Sequence, residues 1–131
     1  MAHILVIDDE QDIRRVLIRI LSSAGHDVVE AENGRAGIRQ ARQDNPDLII
    51  TDILMPEKDG IEAIEEIRAL TKPPKIIAMS GGGRYDGFEF LEIAKCLGAS
   101  ALLTKPFRAA TLLEAVQKAL GSGQNEPIRN G

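Results

Sequence analysis

Short apolar runs alternate along this chain with longer amphipathic stretches. The runs are HILVI at His3–Ile7, a weaker one at Asp27–Ala31, DLIIT at Asp47–Thr51, KIIAM at Lys75–Met79 and ALLT at Ala101–Thr104. Their length and continuous apolarity predict buried strands. Between them the period changes. Ile13, Val16, Leu17, Ile20 and Leu21 recur at i, i+3, i+4, i+7 and i+8, predicting a helix over Gln11–Ala24 that stops at Gly25. Asn33 predicts the cap of a second helix reaching about Gln43, and Pro46 resets the chain. Met55–Gly60 reads as a loop, and Ile61, Ile64 and Ile67 mark a helix over Ile61–Leu70 that Pro73-Pro74 cannot continue. Phe90, Ile93, Ala94 and Leu97 mark a fourth helix ending at Gly98, and Leu112, Leu113, Val116 and Leu120 mark a fifth. Five such alternations predict an α/β, doubly wound parallel sheet with both faces covered. From Gly121 onward the chain is polar and Gly-rich, so one domain over residues 1–121 and a frayed tail over 122–131 are expected.

Composition narrows the picture. A length of 131 residues, 44% hydrophobic, suits one domain with a real core. Only 3% of residues are aromatic and Trp is absent, so the core is aliphatic and no stacking platform for single-stranded nucleic acid exists. A net charge of −4 argues against a surface that neutralises a phosphate backbone. Arg14, Arg15 and Arg19 read as the only local basic group, on the solvated side of the first helix. Cys96 is the single cysteine, which excludes an internal disulfide or Cys-based zinc site, and it reads as a half-buried core residue. His3 and His26 are expected to be structural or solvated. No basic leader precedes the first run and no stretch approaches the ~20 apolar residues of a membrane span, so a cytoplasmic location is expected.

The chemistry gathers at strand ends. Asp8 and Asp9, Asp52, Ser80 and Lys105 each follow an apolar run, where open α/β sheets bind their ligands. In a doubly wound sheet strands one and three are neighbours, so Asp8-Asp9 and Asp52 are expected to converge. Two carboxylates ~4 Å apart repel by roughly 4 kcal/mol at an effective dielectric of 20. Oxygen ligands without His or Cys favour Mg²⁺ as the counter-charge. The plainer alternative is that Asp8, Asp9 and Glu10 cap the helix that follows them. Capping does not account for Asp52 or for Lys105 beside Pro106.

Taken together, LVIDDE, LIITDILMPEKDG, IIAMSGG and LLTKPF resemble the response regulator receiver domains of bacterial two-component signalling, over about residues 3–120. The resemblance implies a flavodoxin-like (βα)5 fold with sheet order 2-1-3-4-5. It implies that Asp52 accepts a phosphoryl group from a histidine kinase or histidine phosphotransfer protein. Asp8, Asp9, Asp52 and the backbone carbonyl of Leu54 would hold Mg²⁺, with Mn²⁺ as an alternative. Ser80 would hydrogen-bond one phosphoryl oxygen and Lys105 would pair with another. Met55, Pro56 and Gly60 would shape the loop beside the acceptor, and the bond before Pro106 would be cis. Such a domain is a switch that catalyses at most its own phosphorylation and dephosphorylation. It would act on an unidentified protein partner, without direct nucleic-acid or membrane contact, as a monomer or weak dimer.

Two positions depart from the family pattern. Leu102 stands three residues before Lys105, where receivers usually carry Tyr or Phe. Gly81, Gly82 and Gly83 open SGGGRYDGFEF, a connection longer than usual, which reads equally as a plain flexible linker or as the segment that carries the conformational response with Tyr85 or Phe88. Two other functions compete. A small Mg-dependent aspartyl-phosphate phosphatase wants an acid two residues after its strand-one nucleophile. Glu10 after Asp8, or Gln11 after Asp9, meets that poorly. A phosphorylation-independent pseudo-receiver is disfavoured because every chemical position holds a competent residue.

Overall fold

The chain forms β1 (His3–Ile7), α1 (Gln11–Ser23), β2 (Asp27–Ala31), α2 (Gly34–Asp44), β3 (Leu48–Asp52), α3 (Gly60–Arg68), β4 (Lys75–Ser80), β5 (Ala101–Thr104) and α4 (Ala109–Gly121). These elements come from a computed structural model that describes residues 2–53, 60–70, 72–80, 95 and 98–121, the side chains of 60–63 excepted. The five strands are all parallel, in the order β2-β1-β3-β4-β5, as expected.

The period of two within each strand sorts side chains onto two faces. Leu5, Ile7, Ile49, Ile76 and Ala78 pack with Ile38 and Ala41 of α2 and with Ile64 and Ile67 of α3. Ile4, Val6, Leu48, Ile50, Ile77 and Met79 pack with Leu17 and Leu21 of α1 and Leu112 and Val116 of α4. Both faces are covered, which is why the strands are apolar throughout rather than alternating. Each fully buried Leu or Ile contributes about 1.5–3 kcal/mol of transfer free energy, and the largest fully buried side chains among the described residues are all Ile and Leu.

Local signals acted as read. Asn33 Oδ1 accepts the Ala36 N–H at 2.8 Å, capping α2. Gly25 takes φ +94 just past α1, a conformation that favours glycine. Boundaries moved where pairing continued or stopped. The third strand, expected at Asp47–Thr51, runs from Leu48 to Asp52, because Asp52 still pairs with Met79. Ser80 likewise remains in β4, opposite Thr104. α3 ends at Arg68 instead of Leu70, since the Ala69 and Leu70 N–H groups turn to the carbonyls of Glu66 and Ile67. The Met55–Pro56 loop, Gly81–Gly83, Tyr85, Phe88, the tail and the expected helix around Phe90–Leu97 with Cys96, apart from helical Lys95, lie outside the described residues.

Candidate functional site

The side-chain period that builds the core also builds the site. Ile4 and Val6, Leu48 and Ile50, and Leu103 all belong to the cluster under α1 and α4. Continuing that period to the strand ends places Asp8, Asp52 and Lys105 on the same side of the sheet edge. They meet there. Lys105 Nζ lies 2.6 Å from Asp8 Oδ2 and 2.8 Å from Asp52 Oδ2. Asp8 is fully buried, Asp52 is 3% exposed and the Lys105 side chain 8% exposed. Glu10 Oε1 stands further off, 3.8 Å from the same ammonium.

The electrostatics follow from this packing. Burial pushes the Asp8 carboxyl above its ordinary range, and the neighbouring Asp52 charge adds to this; hydrogen bonds from Lys105 and the Glu10 N–H reduce the shift without cancelling it. Burial pulls the Lys105 ammonium down, but its hydrogen bonds to Asp52 and Asp8 outweigh that and hold it above its ordinary value. One ammonium is thus the shared counter-charge of two buried carboxylates.

Local hydrogen bonds hold Asp8 and Lys105 in place. The Asp8 N–H donates to the Ala31 carbonyl at 3.2 Å, and Asp8 Oδ1 accepts the Glu10 N–H at 2.8 Å. The Lys105 N–H donates to the Ser80 carbonyl at 3.0 Å, tying the lysine to the end of β4, and the Lys105–Pro106 bond is cis. Ser80 itself is 5% exposed. Asp9 is exposed, yet its carboxylate and those of Asp8 and Glu10 offer oxygens within 4.8 Å of one another. This donor set is all hard oxygen and carries more negative charge than Lys105 alone neutralises, which fits a hard divalent cation. Glu10 is the N-cap of α1 and its side chain makes no capping bond, while Asp8 Oδ1 takes the Glu10 N–H just ahead of the helix.

Arg14 corrects the reading of α1. Expected in the solvated basic group with Arg15 and Arg19, it is only 11% exposed. Its Nη1 donates to the Asp8 carbonyl oxygen and its Nε to Glu30 Oε1, each at 2.7 Å. The guanidinium therefore ties the Asp8 backbone to the end of β2. Helical periodicity carries no sign of this, because Glu30 belongs to another element. Arg15 and Arg19 are exposed as expected. Nor is that basic group alone: Arg35, Arg39 and Arg42 lie exposed along α2. The histidines are structural, His26 Nδ1 accepting the Ala2 N–H at 3.1 Å and His3 Nδ1 lying 3.2 Å from Asp27 Oδ2.

Leu102 is half-buried against the cluster beneath α2 and α3, opposite Ala78 of β4. Gly60 opens α3 instead of closing a loop. Leu54, Met55, Pro56, Gly81, Gly82 and Gly83 lie outside the described residues.

A sequence model of the response regulator receiver domain matches residues 4–117. The chain is 39% identical over 122 residues to the chemotaxis protein CheY of Bacillus subtilis, covering 92% of this chain and 99% of that protein. It is 36% identical over 117 residues to the CheY of Thermotoga maritima, covering 88% of this chain and 95% of that one. Among solved structures, chemotaxis protein CheY4 of Vibrio cholerae superposes with a TM-score of 0.84 at 30% identity, over 92% of this chain and 99% of that one.

Proposed function

We propose, because this chain belongs to the response regulator receiver domain family, that Asp52 is the residue through which it works as a phospho-accepting switch of two-component signalling. The observation that carries the assignment is the buried ammonium of Lys105 held between Asp8 and Asp52. Asp52 closes the central strand β3, between β1 and β4, where the other polar strand ends can reach a group attached to it.

In this reading an Asp52 carboxylate oxygen attacks phosphorus of a phosphohistidine on a kinase or phosphotransfer protein. The P–N bond breaks, the P–O bond of an acyl phosphate forms, and the departing imidazole takes a proton. Lys105 already contacts the Asp52 oxygen and would follow the charge onto the phosphoryl group as a point-charge partner. Ser80, at the end of the adjacent strand, would donate its hydroxyl to a second phosphoryl oxygen. Asp8, Asp9 and Asp52, with the Leu54 carbonyl, would hold Mg²⁺, which supplies charge neutralisation for the phosphoryl oxygens. Glu10 extends the acidic rim. Phosphorylation adds about −1.5 to −2 charge next to Lys105, which biases a two-state equilibrium that a partner protein reads. Leu102 lacks a ring, so this readout does not run through an aromatic side chain at that position.

Incubation with acetyl phosphate and Mg²⁺, followed by intact-mass measurement, tests the assignment. Wild type should gain one phosphoryl group and Asp52→Ala none. Equal modification of the two proteins, or none of wild type, would remove Asp52 from the role.

A further inference from the structure

We infer that the groove between α2 and α3 is a docking surface for a short acidic segment of a partner protein. Arg35, Arg39 and Arg42 follow one another at i, i+4 and i+7 along the outer side of α2, all exposed. Together with Ile38 and Gln43 of α2 and Glu66 of α3 they line a groove of about 330 Å³. Arg42 also lines a second groove of about 460 Å³ with Leu70 and Lys72. Arg42 thus borders both grooves, and with Arg35, Arg39 and Lys72 it makes this side locally basic on a chain whose net charge is −4.

Arg42, in the last turn, suits the dipole of the helix, but the other two arginines work against it. Like charges at i, i+4 repel, and Arg35 sits in the first turn, where the helix dipole disfavours a cation and no acid is present to compensate. Among the described residues, none of the three guanidinium groups makes a hydrogen bond or ion pair, whereas Arg14 on α1 makes both. An external anion would supply what the fold does not.

The shape of the patch selects the kind of anion. Arg35 to Arg42 spans about 10 Å, two turns of helix. The patch is bounded by acids, exposed Glu32 before α2 and, at its end, half-buried Asp44, whose carboxylate accepts from Gln40 Nε2. A polynucleotide running past the arginines would meet those carboxylates, and no described residue lining either groove is aromatic, so none offers a base a stacking surface. A peptide carrying two or three carboxylates over the same two turns fits between them. The half-buried Leu70 at one end offers such a peptide an apolar contact.

The full chain, labelled with ¹⁵N, should be titrated with a short oligoglutamate peptide and separately with a single-stranded oligonucleotide of equal charge. Peptide-induced shifts should cluster at residues 34–45 and 66–72 and fade as salt is raised. Arg39→Glu combined with Arg42→Glu should weaken peptide binding about tenfold, and the milder Arg42→Gln about threefold, as expected for exposed ion pairs. Both variants should still be phosphorylated by acetyl phosphate, because neither residue belongs to the strand-end site. Failure of wild type in that labelling would count against the strand-end assignment and not against this surface. The inference is overturned if the oligonucleotide binds these residues as tightly as the peptide, if the shifts fall elsewhere, or if charge reversal leaves binding unchanged.

Discussion

Removing the Lys105 ammonium while keeping its length, as in Lys105→Met, isolates the electrostatics of the strand-end cluster. Two carboxylate oxygens that share one ammonium at 2.6 and 2.8 Å lie within about 5 Å of each other. At that separation their repulsion is about 3 kcal/mol at an effective dielectric of ~20. The same scale, about 3–5 kcal/mol, is typical for removing one partner of a buried ion pair. Protonation limits the damage, because Asp8 is already raised by burial and takes up a proton more readily once Lys105 is gone. A carboxyl whose folded pKa is raised stabilises the fold below its unfolded value, and that contribution is lost as pH rises through the folded pKa. The deficit of the variant should therefore be small in acid, near 1 kcal/mol at about pH 4, and reach about 3 kcal/mol near neutrality. Lys105 is itself raised in the wild type, so the deficit should persist up to about pH 10.5 and close only beyond it, as wild type loses its own ammonium. Urea unfolding followed by circular dichroism measures this directly. With a slope of about 1.5 kcal/mol per molar, the midpoint near neutrality should fall by about 2 M. Mg²⁺ should recover more stability in the variant than in wild type, about 2.7 kcal/mol at a hundredfold excess over Kd, since no ammonium competes for the carboxylates. Equal midpoints for the two proteins near neutral pH would refute the idea that Lys105 neutralises a repelling pair.

Asp8→Asn removes the carboxylate that burial disfavours while leaving Lys105 its partner Asp52, so the metal-free protein should gain about 1 kcal/mol near neutral pH, read as a higher urea midpoint. The same substitution should abolish the Mg²⁺-dependent rise in thermal midpoint. Gly37→Ala would place a Cβ against Ile7, meeting its Cδ1 and lying 2.9 Å from its Cγ1. The cost of about 1–3 kcal/mol should exceed the helix propensity gained, and the thermal midpoint should drop. Arg14→Ala breaks the bonds to the Asp8 carbonyl and to Glu30, and should cost about 2 kcal/mol in urea unfolding. It should also weaken Mg²⁺ binding, measured by calorimetry, whereas Arg15→Ala on the solvated side should change neither.

Much of this protein was legible from its residues in order. Strand length, the change of period between runs, Asn33 as a cap and Gly25 as a stop are decided by neighbours a few positions apart, and local rules read them. The sites of Asp8, Asp52, Ser80 and Lys105 were legible for the same reason: each closes an apolar run, and a parallel sheet presents all such ends on one edge. The loop residues and triglycine expected to complete the site lie outside the described residues.

What tertiary structure alone decided concerns pairs distant in the chain. Lys105 and Asp8 are 97 residues apart and Lys105 and Asp52 are 53 apart. Only the sheet order and register show that one ammonium spans both carboxylates. The helical position of Arg14 is peripheral and predicts a solvated side chain; Glu30 and the Asp8 carbonyl, supplied by the folded chain, make it part of the strand-end framework. Burial divides adjacent Asp8 and Asp9, one inside and one in solvent, through the strand's alternation against α1 and α4. The sequence by itself determined which chemical groups stand at the sheet edge, since periodicity is local. Their contacts and shared charges were decided by tertiary packing, because electrostatic and hydrogen-bond energies depend on distances in space that no spacing along the chain encodes.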